Sequence, residues 1–293
     1  MNHDLVARIS QAQQQLCAPG APYEIEEATV AGRALRVFRK APANVPAALA
    51  PARGFGDREF IVYLDQRWSY QRFFEHADAL ASALSSRYGI GRGDRVAIAM
   101  RNRPEWLAAF VAAISVGATV VPLNSWGQRE ELLYGLTDSA PKICFCDEPR
   151  LAHVANDLAP LGIRAIVTDA PAGANGVLVA RYDDLVTACA GAQAAQCALA
   201  PDDDAMILYT SGTTSRAKGV VASHRAICQA LASFEYSGAL AGMTSPESVT
   251  AIMALGFAPT VLTAVPLFHV SGLLAHFLYS MRTGRRMVML YKW

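Results

Sequence analysis

The sequence predicts an α/β protein whose sheets are mostly parallel and built from βαβ units. Three observations carry that prediction. From Ser69 onward, short strand runs alternate with stretches of helical period. The stretches between strands have the length of crossover helices, which favours right-handed βαβ connections. Hydrophobic residues make up 53% of the 293 positions and charged residues only 17%, enough apolar surface for a large core in one or two domains.

Taken in order, residues 1–60 read as an N-terminal arm. It holds a strand pair in "EEATVAGRALRVFRK" and a Pro/Ala-rich run from Ala41 to Arg53. The sheet domain is expected over 61–293. In "SYQRFFEHADALASALSSRYG", Phe73, Ala77, Leu80, Ala81 and Leu84 share a helical face. Ser69 is placed to cap the helix and Gly89 to stop it. "DRVAIAM" is a short buried strand. "NRPEWLAAFVAAISVGA" opens a helix with Pro104 and Glu105 in its first turn, where a missing N–H and a negative charge are tolerated. The strand "TVVPL", the helix "QREELLYGLTD", the strand "KICFC" and the helix "RLAHVANDLAPLG" follow. After them come the strand "RAIVTD", the helix "YDDLVTACA" and the strand "AMILYT".

Several function classes lose support. A formal net charge of +1 with no basic block gives nucleic acid no electrostatic footing. Cys17, Cys144, Cys146, Cys189, Cys197 and Cys228 show no C-x-x-C spacing, so buried thiols are expected instead of a metal or redox site. "MNHDLVARISQAQQQL" lacks the apolar core of a signal peptide, and with free cysteines this points to a reducing cytoplasm. Two uncharged runs, Trp106–Trp126 and Val249–Met281, are long enough to span a bilayer. The first changes to β-branched residues after Gly117. The second is broken by Pro259, Pro266 and Gly272, so buried helix–strand units are expected and no transmembrane span.

The stretch "ILYTSGTTSRAKGV", Ile207–Val220, leaves the carboxyl end of a strand, where open parallel sheets bind ligands. A phosphate is best met by close backbone N–H groups, hydroxyls and one mobile ammonium. Thr210 to Ser215 supplies the first two, and Lys218 the third. It is not a Walker A loop: Ala217 precedes the lysine and Gly219 follows it, so the hydroxyl that would hold Mg²⁺ is missing.

"YTSGTTSRAKGV" resembles the phosphate loop of the AMP-forming acyl-CoA synthetases and their adenylate-forming relatives, Y-T-S-G-T-T-G-x-P-K-G-V. The blocks "WSYQRFFEHADALASAL", "GDRVAIAMRNRPEWLAAFVAAISVGATVVPLN", "SHRAI" and "PLFHVSG" resemble that family's other elements in the same order. The resemblance runs from about Pro22 to Trp293. It implies ligation of a small-molecule carboxylic acid by way of an acyl-adenylate, with ATP, Mg²⁺ and coenzyme A as co-substrate. It implies Thr210, Ser211, Gly212, Thr213, Thr214, Lys218 and Gly219 as nucleotide contacts, Thr210 as a residue helping to hold Mg²⁺, and His269 as a wall of the carboxylate pocket. His276 is read as structural, and His224 as capping or orienting a helix start.

Two positions depart from the pattern. Ser215 replaces a glycine, at a cost of about 1–2 kcal/mol if the backbone there is left-handed. Ala217 replaces a proline, which loosens the loop by about 0.4–1 kcal/mol. The family's Y-G-x-T-E element, its ribose-binding aspartate and its small C-terminal domain with the adenylation lysine have no counterpart in the 293 residues. The expectation is therefore an N-terminal portion that is not competent alone and acts with a C-terminal portion or partner chain. The other reading is a non-catalytic nucleotide-binding or partner subunit from a split or decayed ligase gene. A fatty or aryl acid is expected as substrate. The resemblance also implies that amino-acid-activating relatives carry an aspartate in the segment corresponding to "PLFHVSG", and no acid occurs between Glu247 and Trp293, which argues against an α-amino acid. The apolar run from Val249 is expected to stay partly exposed.

Overall fold

The alternation resolves into two mostly parallel sheets and one hairpin. The computed structural model describes residues 3–169, 179–192, 197–210 and 216–291. Helix α1 (His3–Cys17) precedes the hairpin of β1 (Ile25–Val30) and β2 (Arg33–Phe38). Then come α2 (Val45–Leu49), β3 (Glu59–Tyr63), β4 (Gln66–Ser69) and α3 (Tyr70–Tyr88). The central run is β5 (Arg95–Ala99), α4 (Pro104–Ser115), β6 (Thr119–Pro122), α5 (Arg129–Ser139), β7 (Ile143–Asp147), α6 (Glu148–Leu158) and β8 (Arg164–Thr168). It continues through β9 (Val179–Arg181), α7 (Tyr182–Ala188), β10 (Asp204–Thr210) and β11 (Lys218–Ser223). The last elements are α8 (His224–Thr244), α9 (Pro246–Ala254), β12 (Thr260–Thr263), a π-helix over Ser271–Leu278, α10 (Tyr279–Thr283) and β13 (Arg286–Met289).

The larger sheet has the order β11-β10-β6-β5-β7-β8-β9, and only β11 runs antiparallel to its neighbour. Its strands are apolar at consecutive positions because both faces are covered. Val96 and Ile98 of β5 point into a large core shared with α3 and α4. Ala97 and Ala99 point the other way, toward Leu132 and Leu136 of α5 and Val154 and Leu158 of α6. Helix α4 therefore leaves β5 on one face, while α5 leaves β6 on the other. The connection after β6 runs toward β7 while β10 turns the opposite way to β11, so the connections diverge and leave a crevice at the carboxyl ends of β6 and β10, the kind of position where such sheets bind ligands.

The second sheet, β12-β13-β3-β4, joins the segment around residue 60 to the far end of the chain. Sequence pattern does not show this pairing, since it links strands more than two hundred residues apart. The helix boundaries follow local chemistry. Ser69 accepts a bond from the Arg72 N–H at the start of α3, and Gly89 ends that helix at φ 63°. The run Trp106–Trp126 divides into α4, a turn at Gly117 and β6, and among the described residues no helix is long and apolar enough to cross a membrane. Cys144 and Cys146 are buried on one face of β7, within the smaller core.

Candidate functional site

Three loops meet at the carboxyl ends of β5, β6 and β10. On β10, Tyr209 faces Gly219 of β11 and Thr210 faces Lys218, so the glycine/hydroxyl segment closes a hairpin whose two last paired residues are Thr210 and Lys218. Ser211, Gly212, Thr213, Thr214 and Ser215 lie outside the described residues. A side chain at position 219 would press within 2.9 Å of Ile207 Cγ2, so Gly219 gives the ladder the room that Ile207 and the Tyr209 ring occupy.

Helix α5 backs this hairpin. The Tyr209 hydroxyl donates to Asp138 at 2.6 Å. Burial, and then the Asp138 carboxylate, raise the phenol far above its ordinary value, so it remains a donor. The Tyr134 hydroxyl donates to the Ala217 carbonyl at 2.9 Å, and the Arg216 guanidinium lies 5.7 Å from the centre of the Tyr134 ring.

The segment "VPLFH" arrives from the opposite side, held by the loop after β5. Asn102 is buried; its amide Nδ2 donates to Val265 O at 2.8 Å and its Oδ1 accepts from Leu267 N at 2.9 Å. Both sides of Pro266 are thereby tied to the carboxyl end of β5. The His269 N–H closes the turn onto Pro266 O at 3.2 Å, and the Phe268 and His269 rings lie 4.5 Å apart. Trp126, in the loop after β6, stands edge-on to Phe268 at 6.5 Å and carries the Arg101 guanidinium 5.2 Å from its ring centre. Burial and the neighbouring Arg150 charge push the Arg101 guanidinium below its usual value. Beneath these loops, the buried Asp147–Arg150 pair fixes two backbones: Asp147 accepts from Arg101 N, and Arg150 Nε donates to Ser125 O.

Together the loops enclose a cavity of about 250 Å³, with Asn124, Trp126, Tyr134, Thr210, Ala217 and His269 in its walls. Thr210 and His269 are thus brought to one cavity, although 59 positions separate them in sequence. Lys218 is exposed one residue beyond its wall. Glu131 also lines it and is held by Asn124 Nδ2 at 2.8 Å. Thr210 and Glu131 are oxygen donors suited to Mg²⁺, which takes one or two protein oxygens when nucleotide phosphates supply the rest. Among the described residues no cluster of three or more His, Cys, Asp or Glu side chains exists to hold a metal by itself.

The other histidines separate from the site. His276 sits on the π-helix with Nδ1 buried and unbonded among the described residues, and burial lowers its pKa. His224 does not cap its own helix α8, but it does orient a helix start, that of α2 at Val45. Ser223 caps α8, accepting from Ala226 N, while the buried His224 ring accepts the Val45 N–H at 3.2 Å. A serine directly before "HRAI" has the shorter reach that capping needs. Asn102, Trp126 and Tyr134 went unread in the sequence. The one signal was a polar asparagine between a buried strand and a helix opening with proline.

The fold and this crevice define an α/β domain with a cavity at the carboxyl edge of a mostly parallel sheet. Residues 50–293 match the family model described as AMP-binding enzyme, and the chain belongs to that family. It is 32% identical over 218 residues to the oxalate–CoA ligase of Arabidopsis thaliana, covering 74% of this chain and 38% of the relative. It is 33% identical over 167 residues to an L-proline–[L-prolyl-carrier protein] ligase of Streptomyces coelicolor, covering 56% and 31%. It is 29% identical over 221 residues to a long-chain-fatty-acid–CoA ligase of Mycobacterium tuberculosis, covering 74% and 39%. The chain thus spans well under half the length of these relatives. In fold it is similar to the N-terminal domain of FACL13 from Mycobacterium tuberculosis, with TM-score 0.68, 23% identity and coverage of 86% of this chain and 58% of that one. It is likewise similar to apo MatB from Rhodopseudomonas palustris, with TM-score 0.64, 26% identity and coverage of 85% and 45%.

Proposed function

We propose that these residues form the nucleotide- and acid-binding portion of an AMP-forming acid–CoA ligase acting on a fatty or aryl acid in the cytoplasm. The observation that carries the reading is the convergence of Thr210 and His269 on one cavity at the carboxyl ends of the strands. Thr210 and the hydroxyl and glycine residues after it, Ser211 to Thr214, bind the phosphates of ATP through N–H and O–H donors, and the Lys218 ammonium offsets their charge. Mg²⁺, when bound with the nucleotide, offsets charge developing on pyrophosphate. His269, Phe268 and Trp126 present a mostly aromatic wall to the carboxylic acid. An apolar or aryl acid suits the aromatic part of this wall, and its one carboxylate among the described residues, Glu131, is engaged by the Asn124 amide.

The 293 residues are proposed to bind nucleotide without turning it over, acting with a C-terminal portion or a partner chain. Calorimetric titration of the purified chain with MgATP tests the first half: binding is expected, weakened roughly tenfold or more by Lys218→Ala, the loss of a charge-assisted contact. Carboxylate-dependent ATP–pyrophosphate exchange tests the second half. Exchange is expected to stay at background, and clear exchange would refute that half alone.

A further inference from the structure

We infer that Tyr134 is a positioning residue for Lys218, acting through the Ala217 carbonyl. This rests on the nucleotide reading of the hairpin given above. Tyr134 lies on α5, in the wall of the cavity beside Thr210 and Ala217. Its hydroxyl donates to Ala217 O at 2.9 Å, its ring meets Tyr209 edge-on at 6.1 Å, and the Arg216 guanidinium lies over it. One side chain thus contacts the residue before and the residue before that on the approach to Lys218, and also the opposite strand of the hairpin.

The rest of α5 is fitted to this task. Asp138, one turn on, accepts a 2.6 Å hydrogen bond from the Tyr209 hydroxyl, so the helix grips both strands at the same level. Between the two gripping residues stands Gly135, where a Cβ would come within 2.6 Å of Leu123 Cδ2. The missing side chain lets α5 lie close against the end of β6, and the Gly135 carbonyl is within 3.4 Å of the Tyr209 hydroxyl. Position 217 carries alanine, so no ring within the backbone stiffens the exit from the loop. The restraint comes from the neighbouring helix instead.

Limited trypsin digestion of the full chain reads this directly, because the bonds after Arg216 and Lys218 flank the clamped carbonyl. Cleavage of a folded chain tracks the population of the locally opened state. Tyr134→Phe keeps the ring and removes only the hydroxyl. Cleavage after Arg216 and Lys218 is expected to rise about fivefold, one neutral hydrogen bond's worth. Cleavage after the exposed Arg87 at the end of α3 should not rise fivefold, and the melting temperature should fall by no more than about 2 °C. MgATP is then added as a protecting ligand. The variant is expected to need about fivefold more than the wild type for half-protection. Equal cleavage of the two proteins overturns the clamp. Faster cleavage with an unchanged MgATP requirement overturns the positioning role and leaves a local structural contact. Failure of MgATP to protect even the wild type overturns the nucleotide reading, and with it the role for Lys218, while the comparison without nucleotide still decides the clamp.

Discussion

Asn102 commits both ends of its amide to one neighbouring segment, tying the residues around Pro266 to the loop after β5. Replacing it with alanine leaves a half-buried C=O at Val265 and a buried N–H at Leu267 without this partner. Each such group costs about 1–3 kcal/mol. Asn102→Ala is expected to lower unfolding stability by about 2–4 kcal/mol in urea titration; a loss below about 1 kcal/mol would mean that water or another donor replaces the amide. A second residue-scale prediction concerns His76. Its ring lies 4.3 Å from Trp68, and Nδ1 is 3.2 Å from the Tyr182 hydroxyl. Burial, with Arg72 adding to it, pushes its pKa from 6.5 down to about 4. Between those values the unfolded chain binds a proton that the folded chain refuses. Stability should therefore fall as pH drops from 6.5 toward 4 and level off below that. Melting temperatures of the wild type and His76→Gln, taken from pH 7 to 4, check this: the variant should show the shallower decline, and parallel curves would contradict it.

At the scale of elements, the π-helix Ser271–Leu278 shows how closely the His269 turn is packed. A Cβ at Gly272 would come within 2.2 Å of Pro266 O and 3.3 Å of Leu267 Cα, which are backbone atoms unable to swing aside. Gly272→Ala is expected to destabilise the chain by about 3 kcal/mol or to displace the His269 turn. A melting curve like the wild type's, together with unchanged MgATP affinity, would count against that packing. The elements also show what the sequence could and could not disclose. Strands β5, β6, β7, β8 and β10 and helices α3 to α7 were legible because local period, caps and turn residues all agree there. The antiparallel β11 was not, because "KGVVAS" has all but its last two side chains exposed and shows no alternation. The sheet of β12, β13, β3 and β4 escaped because its register is set by long-range pairing. The same distinction governs the site. Thr210, Lys218 and His269 sit in recognisable motifs, whereas Asn102 and Tyr134 act through contacts 163 and 83 residues away in sequence.

On the scale of the whole molecule, the uncharged run from Val249 to Met281 is one composition put to two uses. Its second half is core: Leu267, Leu273, Phe277, Leu278 and Met281 are fully buried among α3, α4 and β13. Its first half is not. Helix α9 buries none of its residues, and Ile252, Met253 and Leu255 stand exposed beside Phe257, which is 82% accessible. Hydropathy alone does not distinguish the halves, since the difference lies in what each packs against. Substitution should distinguish them sharply. Phe277→Ala removes a ring in contact range of Phe60, Phe73 and Phe110, and is expected to cost about 3–5 kcal/mol in a denaturant titration. The triple change Ile252→Ser, Met253→Ser and Phe257→Ser removes apolar surface that the fold does not bury. It should leave the melting temperature within about 1–2 °C, because surface changes away from packed contacts alter stability by less than about 0.5 kcal/mol. The same variant should bind less hydrophobic dye and begin to scatter light at a higher protein concentration, as expected when a contiguous apolar patch is broken. A melting temperature that falls as far as that of Phe277→Ala would show that α9 and the residues after it are packed in solution, and the division of the run into core and surface would then fail.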